Sequence, residues 1–123
     1  MTDPIDGQVL LLTAAKASVG PSQLPPLVDR VQEHLAPELE TYRREYECVY
    51  EGDGRAVFLV GWDHWDALGE RLGFTSREQS AARRAHEEQL LRFGRREDRE
   101  AAFETALEIR DPLVIAFENG SLD

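Results

Sequence analysis

Cys48-Val49-Tyr50-Glu51-Gly52-Asp53-Gly54-Arg55-Ala56-Val57-Phe58-Leu59-Val60 sets the architecture of this chain. Two runs rich in β-branched and aromatic residues flank Gly52-Asp53-Gly54. Asp-Gly supplies the pair of positive-φ positions that a tight hairpin turn needs. The second run is apolar at every position from Ala56 to Val60, so both faces of that strand should be covered. The sequence on either side of this hairpin reads as helix.

Upstream, only Thr13 and Lys16 are polar between Val9 and Ala17. A helix apolar around most of its circumference belongs at the centre of a core or forms half of a subunit interface. Gly20-Pro21 closes it. Ser22 opens a second helix in which Leu24, Leu27, Val28, Val31 and Leu35 recur at helical spacing. Pro25 and Pro26 fall in its first turn, where a missing N–H matters least. Pro37 breaks or restarts the helix, and Leu39, Tyr42 and Tyr46 then share one stripe.

Downstream, Trp65, Leu68 and Leu72 mark a short helix led in by Asp63 or Gly61, with Gly73 as its C-terminal stop. Thr75-Ser76-Arg77-Glu78 is a capping box. It opens the clearest helix of the chain, expected to run to Phe93 and stop at Gly94. A further helix from near Glu97 presents Phe103, Ala106, Leu107 and Ile109. After Pro112, Leu113 to Phe117 fits a third strand. However, Phe103, Ala106, Leu107, Arg110, Leu113, Val114 and Phe117 hold a helical period, with Asp111 as N-cap, and the pattern leans to a restarted helix. The expected fold is α+β, a mostly helical single domain over residues 1–123 with one β-hairpin.

Charge is unbalanced: 24 acidic residues face 14 basic ones, Lys16 is the sole lysine, and the net charge is -10. Such a surface suits strong ionic screening. Residues 71–99 hold eight arginines and five acids, and are the one stretch that would welcome an anion. The lone Cys48 excludes an intramolecular disulfide and a cysteine-rich zinc site, and its strand placement suggests a buried, inert thiol. The N-terminus carries Asp3 and Asp6 rather than a basic region, and its unbroken apolar run covers only Val9 to Leu12, which argues for a cytoplasmic protein with no membrane span.

Candidate chemistry is sparse. His34 and His86 lie at the edges of apolar stripes, as satisfied core or boundary histidines do, and no His-x3-His or Glu-x-x-His pair points to a metal. No phosphate loop or nucleophile motif is present, so no cofactor and no catalytic residue are assigned. In Trp62-Asp63-His64-Trp65 two indoles surround an Asp-His pair. Trp62 and His64 are therefore candidates for a pocket between the tryptophans, with Trp65 as a core anchor. Arg77, Arg84 and Arg95 are separated by 7 and 11 residues and fall on one line of the long helix. They are candidates for an anion or an acidic partner, although Glu87, Glu88, Glu97 and Asp98 intrude on any nucleic-acid stripe.

The order helix, helix, helix, Asp-Gly hairpin over roughly residues 6–60 resembles a winged-helix domain, with the hairpin as wing. Its recognition helix, Pro37 to Tyr46, carries Glu38, Glu40 and Glu45 against Arg43 and Arg44, which phosphates would repel. Tyr42-Arg43-Arg44-Glu45-Tyr46-Glu47-Cys48, Trp62-Asp63-His64-Trp65 and the stretch from Leu72-Gly73-Phe74 to Ala85-His86-Glu87 resemble short uncharacterised haloarchaeal proteins over about residues 40–110. That resemblance implies no activity.

The sequence thus favours a non-enzymatic protein-interaction or regulatory module, self-associating as a homo-oligomer or meeting a protein partner through the first helix or the Phe103–Phe117 segment. A winged-helix transcriptional regulator is the first alternative, with nucleic acid disfavoured by the acids. A ligand binder or enzyme using the Trp62/His64/Trp65 turn is the second.

Overall fold

The computed structural model, which describes residues 3–117, forms the hairpin where the sequence places it. Strand β1 (Glu47–Gly52) and strand β2 (Arg55–Val60) pair antiparallel, and Asp53 and Gly54 between them take φ of 55° and 73°. Both central turn residues are left-handed, the geometry that matches the twist of the flanking strands. Ahead of the hairpin lie helices α1 (Gly7–Ala17), α2 (Leu24–Leu35) and α3 (Leu39–Glu45). Behind it come α4 (His64–Leu72), α5 (Ser76–Glu97) and α6 (Glu100–Leu107), then strand β3 (Asp111–Ala116). The fold is α+β and mostly helical.

The segment after Pro112 is a strand, not the restarted helix that its period suggested. It completes a three-stranded antiparallel sheet of order β1-β2-β3. The reason lies in β2, whose far edge would otherwise leave its N–H and C=O groups unpaired in the interior. Asp111 is no N-cap: it pairs with Val60, and its carboxylate lies 3.7 Å from Arg83 Nη1.

Strand β3 is itself an edge, and side chains from three helices close it. Trp65 Nε1 donates to the Pro112 carbonyl at 3.1 Å, and the Val114 N–H donates to His86 Nδ1 at 2.9 Å. The Ala116 N–H donates to Gln32 Oε1 at 3.0 Å, and Gln32 Nε2 donates back to the Ala116 carbonyl at 2.8 Å. Pro112 falls on the same outward side, so the N–H it lacks is one that β2 does not need. This covering removes the exposed ladder on which another chain could pair.

Alternation along β2 and β3 divides the core between the two sheet faces. Val57 and Val114 point into a cluster with Val9, Leu27, Ala85, Phe93 and Phe103. Ala56, Phe58, Leu113 and Ile115 point to the opposite cluster with Leu35, Tyr42, Trp65 and Leu68. Both faces of the apolar run are therefore covered, as its composition requires.

Three local readings change. Helix α5 passes through Gly94 and ends at Asp98, which takes φ of 58°. Gly94 serves a close approach instead: a Cβ there would lie 2.9 Å from Glu100 Cα and from Phe103 Cδ2. Between α2 and α3 the chain makes a single 3-10 turn, Ala36–Glu38, with no left-handed residue. The order of elements is that of the winged-helix resemblance, and α2 runs through this 3-10 turn into α3 without an intervening loop. Cys48 is exposed on the outer strand β1, beside a bulge between Cys48 and Tyr50, and is not a core thiol.

A charged cluster ties the N-terminus to the sheet. The Asp6 carboxylate accepts hydrogen bonds from Arg55 Nη1 at 2.8 Å and Arg96 Nη2 at 3.4 Å, and Arg92 Nε lies 3.1 Å away as an ion-pair contact. Arg55, buried at 6% exposure, also stacks on Phe93 at 4.7 Å. Burial pushes the Asp6 carboxyl up, but hydrogen bonds from Arg55 and Gln89 and the nearby guanidinium charges hold it below its ordinary value.

Candidate functional site

The turn after β2 separates its two tryptophans. The His64 N–H donates to the Gly61 carbonyl at 3.1 Å, and α4 starts there. Asp63 stands at the N-cap position but makes no side-chain capping bond. Trp62 is 57% exposed, whereas Trp65 is 1% exposed and bonded to Pro112. One indole faces solvent and the other is sealed in the core, so the expected pocket between them does not form.

His64 belongs to a different assembly. Its Nε2 lies 2.6 Å from the Tyr42 hydroxyl, and its ring stands edge-on to Tyr46 at 5.4 Å. Tyr42 and Tyr46, one turn apart on and just after α3, stack at 5.0 Å. His34 from α2 and Arg71 from the last turn of α4 complete the lining of an open cleft of about 570 Å³. A smaller overlapping lobe of about 220 Å³ holds the same four groups, His34, Tyr42, His64 and Arg71, against Ala67 and Leu68. The larger lobe adds the carboxylates of Glu33, Glu38 and Glu45.

Burial keeps the Tyr42–His64 pair in its neutral forms. Burial pushes the Tyr42 phenol up to about 12, Tyr46 and Glu38 reinforce the shift, and Arg71 opposes it. Burial lowers His64, against the pull of Asp63. Both groups in this hydrogen bond are therefore uncharged at neutral pH, one serving as donor and one as acceptor. Arg71, Glu33, Glu38 and Glu45 form no ion pair among the described residues. Nor do three His, Cys, Asp or Glu side chains come together as a metal site among them.

The remaining candidates have structural partners. His86 is fully buried, where burial lowers it to about 3, and it accepts the Val114 N–H. The arginine row of α5 divides along its length. Arg95 pairs with Glu100 at 3.1 Å, and Arg84 Nη1 lies 3.5 Å from the Lys16 carbonyl. Arg77 makes no ion pair among the described residues and lines a second cleft, of about 500 Å³, with Arg30.

Tyr42, Arg71 and Arg30 were not singled out in the sequence. Tyr42 and Tyr46 one turn apart gave a signal read as core, while nothing local links Arg71 or His34 to His64. Their meeting depends on how α2 and α4 pack over the sheet face carrying Phe58.

No helix among the described residues is long and apolar enough to cross a membrane. Comparison with curated proteins and with solved structures finds no match in either. In line with the resemblance to short uncharacterised proteins, the chain belongs to the family described as Domain of unknown function (DUF8048), whose model matches residues 3–117.

Proposed function

We propose that the protein is a non-enzymatic binding module whose cleft of His34, Tyr42, His64 and Arg71 takes up a small polar ligand. The observation that carries this reading is the convergence of four polar side chains from α2, α3 and α4 on one solvent-reaching cleft. A binding role fits better than catalysis because the shifts of Tyr42 and His64 run in opposite senses. They widen the gap between phenol and imidazole, so a tyrosinate–imidazolium pair becomes harder to form. Arg71 and the glutamates, without an ion pair among the described residues, instead offer charges that a ligand could satisfy. The test is a panel of small carboxylates, amines and amino acids, followed through the imidazole nitrogen shifts of His34 and His64 by NMR. At least one compound should move both imidazoles together, and Arg71→Gln should weaken it several-fold. If no compound moves either ring, the cleft is not a binding site.

Self-association through α1 is the second reading, the route by which the module would act as an interaction or regulatory protein. Leu11 and Leu12 are 63% and 62% exposed, side by side on a helix whose opposite face carries Val9, Thr13 and Ala14. The Phe103–Phe117 segment offers less, since its last apolar residues are buried in β3. Replacing Leu11 and Leu12 together by Glu should turn a dimer into a monomer by light scattering in molar salt. A parent chain that is monomeric at every concentration removes this reading. DNA binding is weaker still, because Arg95 is already paired and α3 carries Glu40 and Glu45 beside Arg43 and Arg44. A haloarchaeal or otherwise salt-adapted source and a cytoplasmic location accord with the acidic excess and with arginine in place of lysine.

A further inference from the structure

We propose that the cleft between the end of α1, the start of α2 and the start of α5 binds a phosphate monoester. This inference is independent of the His64 cleft. Arg30 and Arg77 line a space of about 500 Å³, together with Ser18, Ser22 and Thr75. Neither arginine forms an ion pair among the described residues, although acids outnumber bases in the chain by 24 to 14. Glu78 is the one carboxylate lining the cleft, and it is engaged: its Oε1 accepts the Thr75 N–H at 2.8 Å in the capping box.

Arg30 is anchored rather than free to wander. It donates to the Leu72 carbonyl and lies over the Phe74 ring at 5.0 Å. A guanidinium held in place loses less freedom when an anion arrives. On the same row of α5, Arg84 reaches the Lys16 carbonyl at 3.5 Å, which sets a further cation beside the end of α1.

The donor set selects among anions. Two guanidinium groups and three hydroxyls exceed what the two oxygens of a carboxylate can accept, whereas a phosphate offers three terminal oxygens and up to two charges. Gln23 also lines the cleft, its Oε1 engaged by the Gly20 N–H at 2.8 Å, and the remaining wall is apolar, formed by Val19, Pro26 and Leu27. Inorganic phosphate would leave that wall uncovered, so an ester with an apolar body fits the whole space.

The test titrates the full chain, in buffered potassium chloride, with phenyl phosphate, inorganic phosphate and benzoate, read by backbone NMR shifts and calorimetry. Phenyl phosphate should bind tightest and move the amides of Ser18, Ser22 and Thr75. Arg77→Gln should weaken it at least about fivefold, as loss of one charge-assisted contact does. Arg95→Gln, at the far end of the same helix, should leave affinity unchanged. Arg77 is exposed, so an unaltered melting curve will show that Arg77→Gln remains folded. No binding of phenyl phosphate, or an equal loss in Arg77→Gln and Arg95→Gln, overturns the site. Equal affinity for inorganic phosphate overturns the ester, and equal affinity for benzoate overturns the preference for phosphate.

Discussion

Because His86 Nδ1 accepts the Val114 N–H, the ring's proton must sit on Nε2. That nitrogen is buried without a hydrogen-bond partner among the described residues, and the ring stands edge-to-face with Trp65 at 4.9 Å. A second proton would put a charge in the core and turn the acceptor of an edge-strand N–H into a donor. Burial accordingly lowers the group from 6.5 to about 3. In the unfolded chain the same imidazole takes up its proton at the ordinary value, so between those limits the unfolded state binds more protons. The stabilisation is complete above pH 6.5 and is lost progressively as the pH falls toward 3. At about 1.4 kcal/mol per pH unit, His86 should remove roughly 2 kcal/mol of stability by about pH 5. His86→Gln retains an acceptor for Val114 but cannot titrate. Urea unfolding at neutral and mildly acidic pH should show the variant losing that much less than the parent, and an equal loss in both would assign the acid sensitivity to other groups.

Helix α6 reaches α5 at Gly94, where backbone nearly touches backbone. A Cβ there would sit 2.9 Å from Glu100 Cα, an atom that cannot move without its helix. Gly94→Ala should therefore lower stability by about 1–3 kcal/mol, the usual effect of overpacking. Gly69 is the contrast. Its added Cβ would meet the flexible Gln79 side chain, which can swing away at the loss of its exposed hydrogen bond to Asp66, while Ala gains helix propensity of up to about 1 kcal/mol. Gly69→Ala should thus be close to neutral in the same denaturation experiment. If both variants lose stability alike, the backbone approach at Gly94 is not what fixes α6. These two glycines also mark how far the sequence could be read. The hairpin, the capping box and the Gly73 stop were legible because each is fixed by the chemistry of adjacent residues. Gly94 looked like a stop because a glycine's helix-ending and close-packing uses are indistinguishable without knowing what lies opposite. Strand β3 was hidden for the same reason: Leu113 to Phe117 satisfies a helical period, and only the vacant edge of β2 chooses between the two states. The cleft was hidden most deeply, since His34, Tyr42, His64 and Arg71 come from three helices and no spacing within any one of them announces the others.

Over the molecule as a whole, charges differ in how far solvent reaches them. Pairs such as Arg95–Glu100 and Arg110–Glu47 lie on the surface, whereas the Asp6 cluster is partly sheltered through Arg55, whose side chain is 7% exposed. The chain carries a net charge of -10, and among the described residues carboxylates such as Glu33, Glu40, Glu45, Glu104 and Glu108 are exposed. Salt acts unequally on the two settings, because mobile ions screen exposed charges and reach buried pairs poorly. Raising potassium chloride shortens the screening length from roughly 30 Å at 0.01 M to about 3 Å at 1 M. The repulsion between exposed carboxylates should fade over that range while the Asp6–Arg55 pair persists, so the melting temperature should climb steeply and then level off. A general salting-out of apolar surface behaves differently, since it continues to grow with concentration and is stronger in sulfate than in chloride. Melting curves in both salts at matched ionic strength separate the two causes. Coincident curves that flatten by about 1 M assign the gain to screening of the acidic surface. A melting temperature that stays level or falls across the same range would mean that the acidic excess does not limit the stability of the folded chain.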